Sequence, residues 1–342
     1  MKVAVLMSGG VDSTVACLLL KEQGYEVEGL TMINWQTAVG EKAANAASVL
    51  GIKHSVVDLR KDFQQQVVSY FCTTYQQGCT PNPCVECNRY IKFGTLLEFA
   101  LQRGCDMVAT GHYARISYHK SSERYHLLKG IDYSKDQSYF LYRLTQEQLA
   151  RILFPLGKLT KEQVRAIAGQ HGLTVAQEPD SQEICFIAGD YRDFLVEQGL
   201  ALEPGPIVNL QGEVLGQHRG LAFYTIGQRK GLGVHAGKPV FVLGMDITNN
   251  RLIVDDEHHL FTRELVSADN NWIGIESLEE PVTVEAKIRS TAPPAKAWLE
   301  KQDGDKVRVR FDTPQRAITP GQSVVFYQGD LVIGGGRITS AT

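Results

Sequence analysis

The sequence has no apolar run of the about 18 residues that a membrane-spanning helix requires. Its first residues pass from Met1 and Lys2 directly into an apolar stretch, without the charged-then-apolar pattern of a secretion leader. It also lacks an excess of charge, since 35 Lys and Arg residues stand against 38 Asp and Glu residues, a net charge of −3. We therefore expect a soluble, cytoplasmic protein with no membrane partner, in which any contact with nucleic acid comes from local basic patches.

The cysteine pattern argues against a structural disulfide framework. The seven cysteines lie at positions 17, 72, 79, 84, 87, 105 and 185. An odd number of cysteines in a long chain without a leader favours reduced, reactive or metal-binding thiols. A buried, inert thiol is the alternative for each of them, and burial is favoured for Cys17 and Cys105.

The order of apolar and polar segments predicts the fold class. Strand-like and helix-like segments alternate in the first third of the chain, which predicts an α/β fold with a parallel sheet covered by helices. One of these helices is predicted near residues 92–103. From about residue 203, short β-type runs separated by Gly, Pro and Asn predict two small barrels or sandwiches. We predict a catalytic domain, a central β-rich domain and a C-terminal β-barrel domain, with the boundaries 1–195, 196–263 and 264–342.

The stretch MSGGVDST, residues 7–14, joins the first predicted strand to the first predicted helix. Its two glycines make a tight turn that a ligand can approach closely, and the N–H groups that open the helix attract an anion. The spacing is neither that of a Walker loop nor that of a dinucleotide-binding fold. A phosphate site is therefore predicted, and the alternative is a glycine turn capped by Asp12 and Ser13 with no ligand.

The pattern S-G-G-x-D-S resembles the PP-loop of the ATP pyrophosphatase superfamily, in which ATP is split to AMP and pyrophosphate to activate a carbonyl oxygen. Further motifs select one branch of it. They closely resemble the tRNA-specific 2-thiouridylase family from end to end, and they are ATGHYAR at 109–115, KDQSYFLY at 135–142, DSQEICFI at 180–187, GQRKGLG at 227–233, GCTPNPCVECNRYIKFG at 78–94 and TPGQSVVFY near the C-terminus.

This resemblance implies a tRNA-uridine 2-sulfurtransferase with an adenine nucleotide alpha hydrolase-like catalytic domain. AMP is transferred to the C2 oxygen of the wobble uridine, and sulfur from an enzyme persulfide then replaces that oxygen. The resemblance implies that Cys185 carries the persulfide and that Cys87 closes a disulfide with it. ATP, Mg²⁺, the anticodon loop of tRNA and a sulfur donor protein, either a cysteine desulfurase or a sulfur relay, are the implied cofactors and partners.

The resemblance also assigns binding residues. It places ATP against Leu6, Met7, Ser8, Gly9, Gly10, Val11, Asp12, Ser13, Met32 and Gly111, with Asp12 a candidate Mg²⁺ contact. It places tRNA or its target base against Asn82, Pro83, Cys84, Lys135, Asp136, Gln137, Arg289 and Ser290. A phosphate contact is also reasonable for Arg229, Lys230 and Lys287.

Cys84 departs from the family pattern, because the best-known members have an aspartate at this position. A carboxylate's acid-base or orienting role therefore cannot be carried over. The resulting C-x-x-C motif suggests a second hypothesis, in which Cys84, Cys87 and Cys185 hold a labile [4Fe–4S] cluster. Two further alternatives stay open for the whole chain: an amide-forming PP-loop synthetase, and a non-catalytic protein that binds tRNA or an Fe–S cluster.

Overall fold

The computed structural model describes residues 1–35, 39–177, 184–234 and 237–341. The first four residues of the DSQEICFI motif, 180–183, lie outside this described part. Helices α1 to α9 comprise Val11–Glu22, Val39–Val49, Arg60–Phe63, Ser69–Gln76, Pro83–Glu86, Leu96–Gln102, Gln146–Leu149, Lys161–Gln170 and Tyr191–Glu197. Two π-helical segments comprise Gln64–Val68 and Cys87–Thr95, and 3₁₀ turns comprise Ser138–Phe140, Pro155–Lys158, Thr174–Gln177, Leu221–Phe223 and Glu257–Leu260.

The first unit is built on a parallel sheet, as predicted. Strands β1 to β7 comprise Lys2–Leu6, Glu26–Ile33, Lys53–Asp58, Met107–Ala109, Ala114–His119, Arg124–Lys129 and Ile152–Leu153. Five of them pair in parallel in the order β3-β2-β1-β4-β7. β1 lies at the centre, and Val3, Ala4 and Val5 are fully buried because helices cover both faces of the sheet.

The helix that carries the cysteine motif begins at Pro83 rather than near residue 92, so the predicted start was wrong. α5, the π-helical segment Cys87–Thr95 and α6 follow one another without a break. Proline fits the first turn of a helix because its missing N–H has no intrahelical acceptor there. Wide π-helical turns are frequent at functional sites, and this one includes Cys87.

The second unit is a small sheet in the order β10-β11-β8-β9. Strands β8 to β11 comprise Gly205–Val208, Val214–His218, Phe241–Asp246 and Arg251–Asp255. Their inward side chains form a compact apolar core around Ile207, Val242 and Leu252. This unit matches the predicted β-rich centre of the chain.

The third unit is a closed antiparallel barrel. Strands β12 to β17 comprise Phe261–Trp272, Val282–Lys287, Ala295–Lys301, Val307–Arg316, Ser323–Gln328 and Leu331–Ala341. They pair in the order β12-β15-β14-β13-β16-β17, and β12 also pairs with β17, which closes the barrel. In the described part of the chain, no helix has the length and apolar character needed to cross a membrane.

One hairpin of the first unit joins the sheet of the third. β5 and β6 form this hairpin, and β6 pairs with β17 through Leu128 and Leu331. The Lys129 N–H also donates to the Asp330 carbonyl at 2.9 Å. Apolar residues of the hairpin and the barrel share one buried cluster that includes Leu127 and Val332. The first unit and the barrel are therefore joined by backbone hydrogen bonds as well as by side-chain packing.

Candidate functional site

The MSGGVDST loop between β1 and α1 is held by hydrogen bonds between its hydroxyls and its backbone. Ser13 Oγ accepts from the Ser8 N–H at 3.3 Å and donates to the Gly10 carbonyl at 3.1 Å. Gly10 is the N-cap residue of α1, and no side-chain hydrogen bond caps this described helix start. The positive end of the helix dipole therefore faces the loop, as an anion site requires.

Two glycines allow other elements to touch this loop. Gly9 has a φ of +81°, and a Cβ there would lie 2.6 Å from Lys42 Cβ on α2. A Cβ on Gly111, which follows β4, would lie 2.7 Å from the carbonyl carbon of Asp12. Both distances are too short for a side chain, so only glycine fits. The structure thus places Gly111 directly against the loop.

The other residues of the predicted ATP site lie at the same edge of the sheet. Leu6 ends β1, and Met32 is half-buried near the end of the neighbouring β2. The side chains of Met7 and Val11 are buried in the core below the loop. A ligand in the loop would therefore meet the backbone of these two residues rather than their side chains.

Asp12 has partners that the sequence did not predict. Lys161 Nζ donates to both of its carboxylate oxygens, at 2.7 and 2.8 Å, and the Tyr113 hydroxyl donates to one of them at 2.8 Å. The Lys161 side chain is 9% exposed and that of Asp12 is 35% exposed. Mg²⁺ is commonly held by one or two carboxylates together with substrate phosphates. The carboxylate of Asp12 is partly exposed and so fits such a role. Lys161 binds the same carboxylate oxygens.

The predicted target-base segment and Cys87 lie at the start of the long helix. Asn82 and Pro83 are buried, whereas Cys84 is exposed. Cys87 is buried, and this burial raises the pKa of its thiol to about 12 despite the nearby positive charge of Lys92. At neutral pH Cys87 therefore rests as a neutral thiol.

Cys185 lies near Cys87 although it is 98 residues further along the chain. Its sulfur lies 3.5 Å from Asn34 Nδ2, at the residue that follows β2. Although Cys185 is exposed, the protein atoms around its sulfur raise the pKa of its thiol, while Lys92 and Asn34 act in the opposite direction. Cys84 and Cys87 both lie within electrostatic reach of Cys185. The structure thus brings the three cysteines of the two motifs together, all as free thiols.

These thiols do not form a metal site as they are placed. In the ranges that the structure describes, no group of three His, Cys, Asp or Glu side chains is arranged to hold a metal ion. Cys84, Cys87 and Cys185 are therefore not arranged as ligands of a common metal ion in the described part of the chain.

The barrel holds the loop that precedes the cysteine helix. The Thr80 N–H donates to the Pro320 carbonyl at 2.9 Å. Gln322 Nε2 donates to the carbonyl oxygens of Thr80 at 3.2 Å and Pro81 at 2.9 Å. A Cβ on Gly321 would lie 2.7 Å from the Thr80 oxygen, so the two backbones are in direct contact. The TPGQ motif therefore fixes the position of the loop that leads to Cys84.

The predicted tRNA segment is tied to the ATP site. Asp136 accepts hydrogen bonds from the backbone N–H groups of Gly130 and Ser138, which fold this segment into a compact turn. Gln137 Oε1 accepts from the Tyr113 N–H at 3.0 Å, and Tyr113 is the residue whose hydroxyl binds Asp12. Lys135 lies half-buried at the start of the same segment.

The residues of the barrel and the central unit that are predicted to contact tRNA differ in their exposure. Arg289 Nη2 donates to the Ala317 carbonyl and to Thr319 Oγ1, so this guanidinium braces the turn after β15 and the first residue of the TPGQ motif. Ser290 and Lys287 are half-buried, whereas Arg229 and Lys230 are exposed. The exposed pair has the accessibility that a phosphate contact needs.

Sequence reasoning missed several residues of the site, which are Asn34, Lys92, His112, Tyr113 and Lys161. Lys92, His112 and Tyr113 stand inside the quoted motifs, so those motifs were the available signal for these three residues. His112 is buried, and its pKa lies well below the ordinary value because of that burial and the nearby charge of Lys92. His112 is therefore a neutral imidazole beside the cysteine helix.

A glycine loop after the first strand of a parallel sheet, at the edge where open α/β sheets bind their ligands, is typical of nucleotide-binding α/β enzymes. Residues 1–189 match the tRNA methyl transferase HUP domain, 192–256 the tRNA methyl transferase PRC-barrel domain, and 262–338 the Aminomethyltransferase beta-barrel domain. The predicted boundaries at 195 and 263 stay predictions.

Full-length relatives narrow this class to one family. The tRNA-specific 2-thiouridylase MnmA of Syntrophomonas wolfei is 54% identical over 338 residues, covering 99% of this chain and 100% of that protein. The corresponding proteins of Acetivibrio thermocellus and Moorella thermoacetica are 49% and 50% identical, each covering 98% of this chain and 99% of the relative. The chain belongs to the tRNA-specific 2-thiouridylase family.

Proposed function

We propose that the protein uses ATP to adenylate the C2 oxygen of the wobble uridine in tRNA and then replaces this oxygen with sulfur carried on Cys185. One observation carries the proposal. Cys185 lies beside Asn34 at the carboxyl edge of the parallel sheet, the edge at which the glycine loop follows β1, and Cys84 and Cys87 lie within electrostatic reach of it. Open α/β sheets bind their ligands at this edge.

The first step needs activation because the C2 oxygen of uridine belongs to an amide-like carbonyl and leaves poorly. Attack of this oxygen on the α-phosphorus of ATP forms an O-adenylate and releases pyrophosphate. The loop from Ser8 to Ser13 supports this step by holding the pyrophosphate portion against the start of α1. Mg²⁺ bound with the phosphates would shield their charge, and Asp12 is the carboxylate placed to share it.

The second step transfers sulfur. The outer sulfur of a Cys185 persulfide attacks C2, and the C–O bond to AMP breaks. The Cys87 thiolate then attacks the inner sulfur, so the S–S bond of the persulfide breaks and its electron pair stays on the sulfur bound to uridine. A Cys87–Cys185 disulfide and AMP remain, and a thiol reductant must reduce the disulfide before the next turnover. The high pKa of Cys87 means that it must lose a proton during this step.

The positions of the residues predicted to contact tRNA agree with a tRNA substrate. A wobble uridine in an anticodon loop is unstacked and can be turned into a pocket. Asn82, Pro83 and Cys84 precede Cys87 on the chain, so a base held there is close to the resolving thiol. We assign the turn of Lys135, Asp136 and Gln137, together with Arg289 and Ser290, to positioning the tRNA.

The test is mass spectrometry of the nucleosides of unmodified tRNA after anaerobic incubation with the protein, ATP, Mg²⁺, cysteine and a cysteine desulfurase. We expect 2-thiouridine with the wild type and none with Cys185→Ser or Cys87→Ser. Cys72→Ser is the matched control, since Cys72 is half-buried and belongs to α4, outside the two cysteine motifs in the sequence. Thiolation that survives Cys185→Ser would contradict the proposal.

The same reaction separates the alternatives. AMP that accumulates without tRNA would favour an amide-forming synthetase, and tRNA binding without pyrophosphate release would favour a non-catalytic protein. The cluster hypothesis stays a prediction. Iron analysis of anaerobically purified protein tests it, because thiolation by iron-free protein would reject it. Replacing the desulfurase by a sulfur relay protein tests the nature of the donor.

A further inference from the structure

The side chain of Asn34 stands beside the sulfur of Cys185 and has no assigned role. Asn34 follows the last residue of β2, and Cys185 lies 151 positions further along the chain. The Nδ2 atom is 3.5 Å from Sγ, which is a hydrogen-bond distance to sulfur, and Asn34 is 7% exposed. A buried amide N–H aimed at a thiol sulfur requires a physical explanation.

The orientation of this amide is set by its own neighbour. The Trp35 N–H donates to Asn34 Oδ1 at 2.9 Å, so the oxygen faces a donor and the NH₂ group must face Cys185. The reversed orientation would place two donors together and an oxygen against the sulfur.

Both partners are also anchored in one aromatic cluster. The ring of Trp35 packs edge-on against Phe194 at 5.6 Å, and Phe194 packs against Phe186 at 5.3 Å. Phe186 is the residue after Cys185 and is buried. The relative position of Asn34 and Cys185 is therefore fixed by packing on both sides.

We propose that Asn34 is a positioning residue for sulfur transfer, whose amide N–H holds the sulfur of Cys185 in place and stabilises negative charge on it. This inference rests on the proposed role of Cys185. A sulfur anion, either the thiolate or the end of a persulfide, accepts a hydrogen bond better than a neutral thiol does. The donor therefore favours the nucleophilic form that must capture sulfur and pass it on.

The effect of Asn34 on Cys185 differs from that of the other groups around this thiol. Lys92, in the π-helical segment Cys87–Thr95, is a cation near Cys185, and the thiols of Cys84 and Cys87 lie within electrostatic reach of it. Desolvation by the surrounding protein raises the pKa of Cys185, and Lys92 and the Asn34 hydrogen bond oppose that rise. Lys92 supplies charge, whereas Asn34 supplies a directed donor at a fixed distance.

The test compares two substitutions at Asn34 by the rate at which iodoacetamide alkylates Cys185 at one neutral pH, followed by peptide mass spectrometry. Asn34→Ala removes the donor, and Asn34→Asp keeps the shape but places a carboxylate against the sulfur. We expect Cys185 to react about threefold to tenfold more slowly in Asn34→Ala, and more slowly still in Asn34→Asp. Cys84, read in the same digest, is the internal reference.

A merely structural role predicts a different order. The shape-conserving Asn34→Asp would then resemble the wild type, and only Asn34→Ala would change. That order, or no change in either variant, overturns the inference. Asn88→Ala is the matched control, because Asn88 is a buried amide that donates to the Phe140 carbonyl instead; we expect it to leave the Cys185 rate at the wild-type value.

A measurement on the wild-type fold covers the case in which both variants unfold. The ¹⁵N signal of the Asn34 side-chain amide should shift when Cys185 is alkylated, and an unchanged signal overturns the inference. The outcome is distinct from that of the proposed function. Thiolation by Cys185→Ser would reject the role of Cys185 in the reaction, whereas the order of alkylation rates tests only the hydrogen bond from Asn34.

Discussion

Lys161 Nζ binds both carboxylate oxygens of Asp12, at 2.7 and 2.8 Å, across 149 positions of sequence. The pair joins the start of α8 to the start of α1, and so places a buried ammonium group beside the glycine loop. A cation at this point would complement the charge of phosphates in the proposed ATP site.

We expect Lys161→Met to weaken ATP binding about tenfold or more, because the variant keeps the aliphatic stem but removes the charge. Loss of one partner from this partly buried pair should also lower the free energy of unfolding by about 1–2 kcal/mol, less than for a fully buried pair since Asp12 is partly exposed. Calorimetric titration with ATP and urea unfolding measure the two effects. Unchanged ATP affinity would show that Lys161 has only a structural role.

The geometry of the glycine loop can be tested by comparing alanine substitutions at Gly9 and Gly24. Gly9→Ala should abolish measurable ATP binding, because the new Cβ would lie 2.6 Å from Lys42 Cβ at a φ of +81°. Gly24→Ala is the control, since Gly24 has a φ of +83° and no atom within 4 Å of the added Cβ. The control should cost only about 1 kcal/mol of backbone strain and leave ATP affinity unchanged. Equal effects of the two variants would contradict the role of the close approach.

Gln322 is predicted to act on the cysteine loop from the barrel. Gln322→Ala removes the hydrogen bonds to the Thr80 and Pro81 carbonyls, so we expect faster hydrogen exchange in residues 79–82 and about tenfold slower thiolation. Gln328→Ala is the control, because that amide donates to the Thr283 carbonyl on the barrel surface. Wild-type exchange in residues 79–82 of Gln322→Ala would refute the prediction.

Cys87 should make stability fall at alkaline pH. Burial raises the pKa of its thiol from an ordinary value near 9.0 to about 12, so the folded protein holds this proton more tightly than the unfolded chain does. The stabilising contribution is complete below pH about 8.5 and is lost as the pH rises toward about 12. Between pH 7 and 10 the wild type should lose about 1–2 kcal/mol more than Cys87→Ala in urea unfolding. Parallel curves for the two proteins would contradict this prediction.

The fold could be predicted from the sequence where local pattern carries the information. Alternating apolar and helical segments indicated the parallel sheet, and the short runs after residue 203 indicated the β-rich units. The start of the long helix at Pro83 was missed because π-helical turns, such as Cys87–Thr95, have no periodic signature. The pairing of β6 with β17 was also missed, since nothing near Leu128 specifies a partner as distant as Leu331.

The site could be predicted only where its residues stand in motifs. The glycine loop was found from its local pattern, and the three cysteines were found because they stand in two motifs that resemble those of the family. The contacts of Asp12 with Lys161 and of Cys185 with Asn34 each join positions more than a hundred residues apart. Such contacts result from tertiary packing, so a single sequence contains no pattern from which to predict them.

The pairing of β6 with β17 also has a consequence for biosynthesis. Leu128 leaves the ribosome about 200 residues before Leu331, so the outer edge of the hairpin stays open while the central unit and most of the barrel are translated. An open strand edge can pair with another chain. The nascent protein therefore depends on its last strand to cover this edge, and truncation before residue 331 should produce aggregates rather than a soluble catalytic fragment.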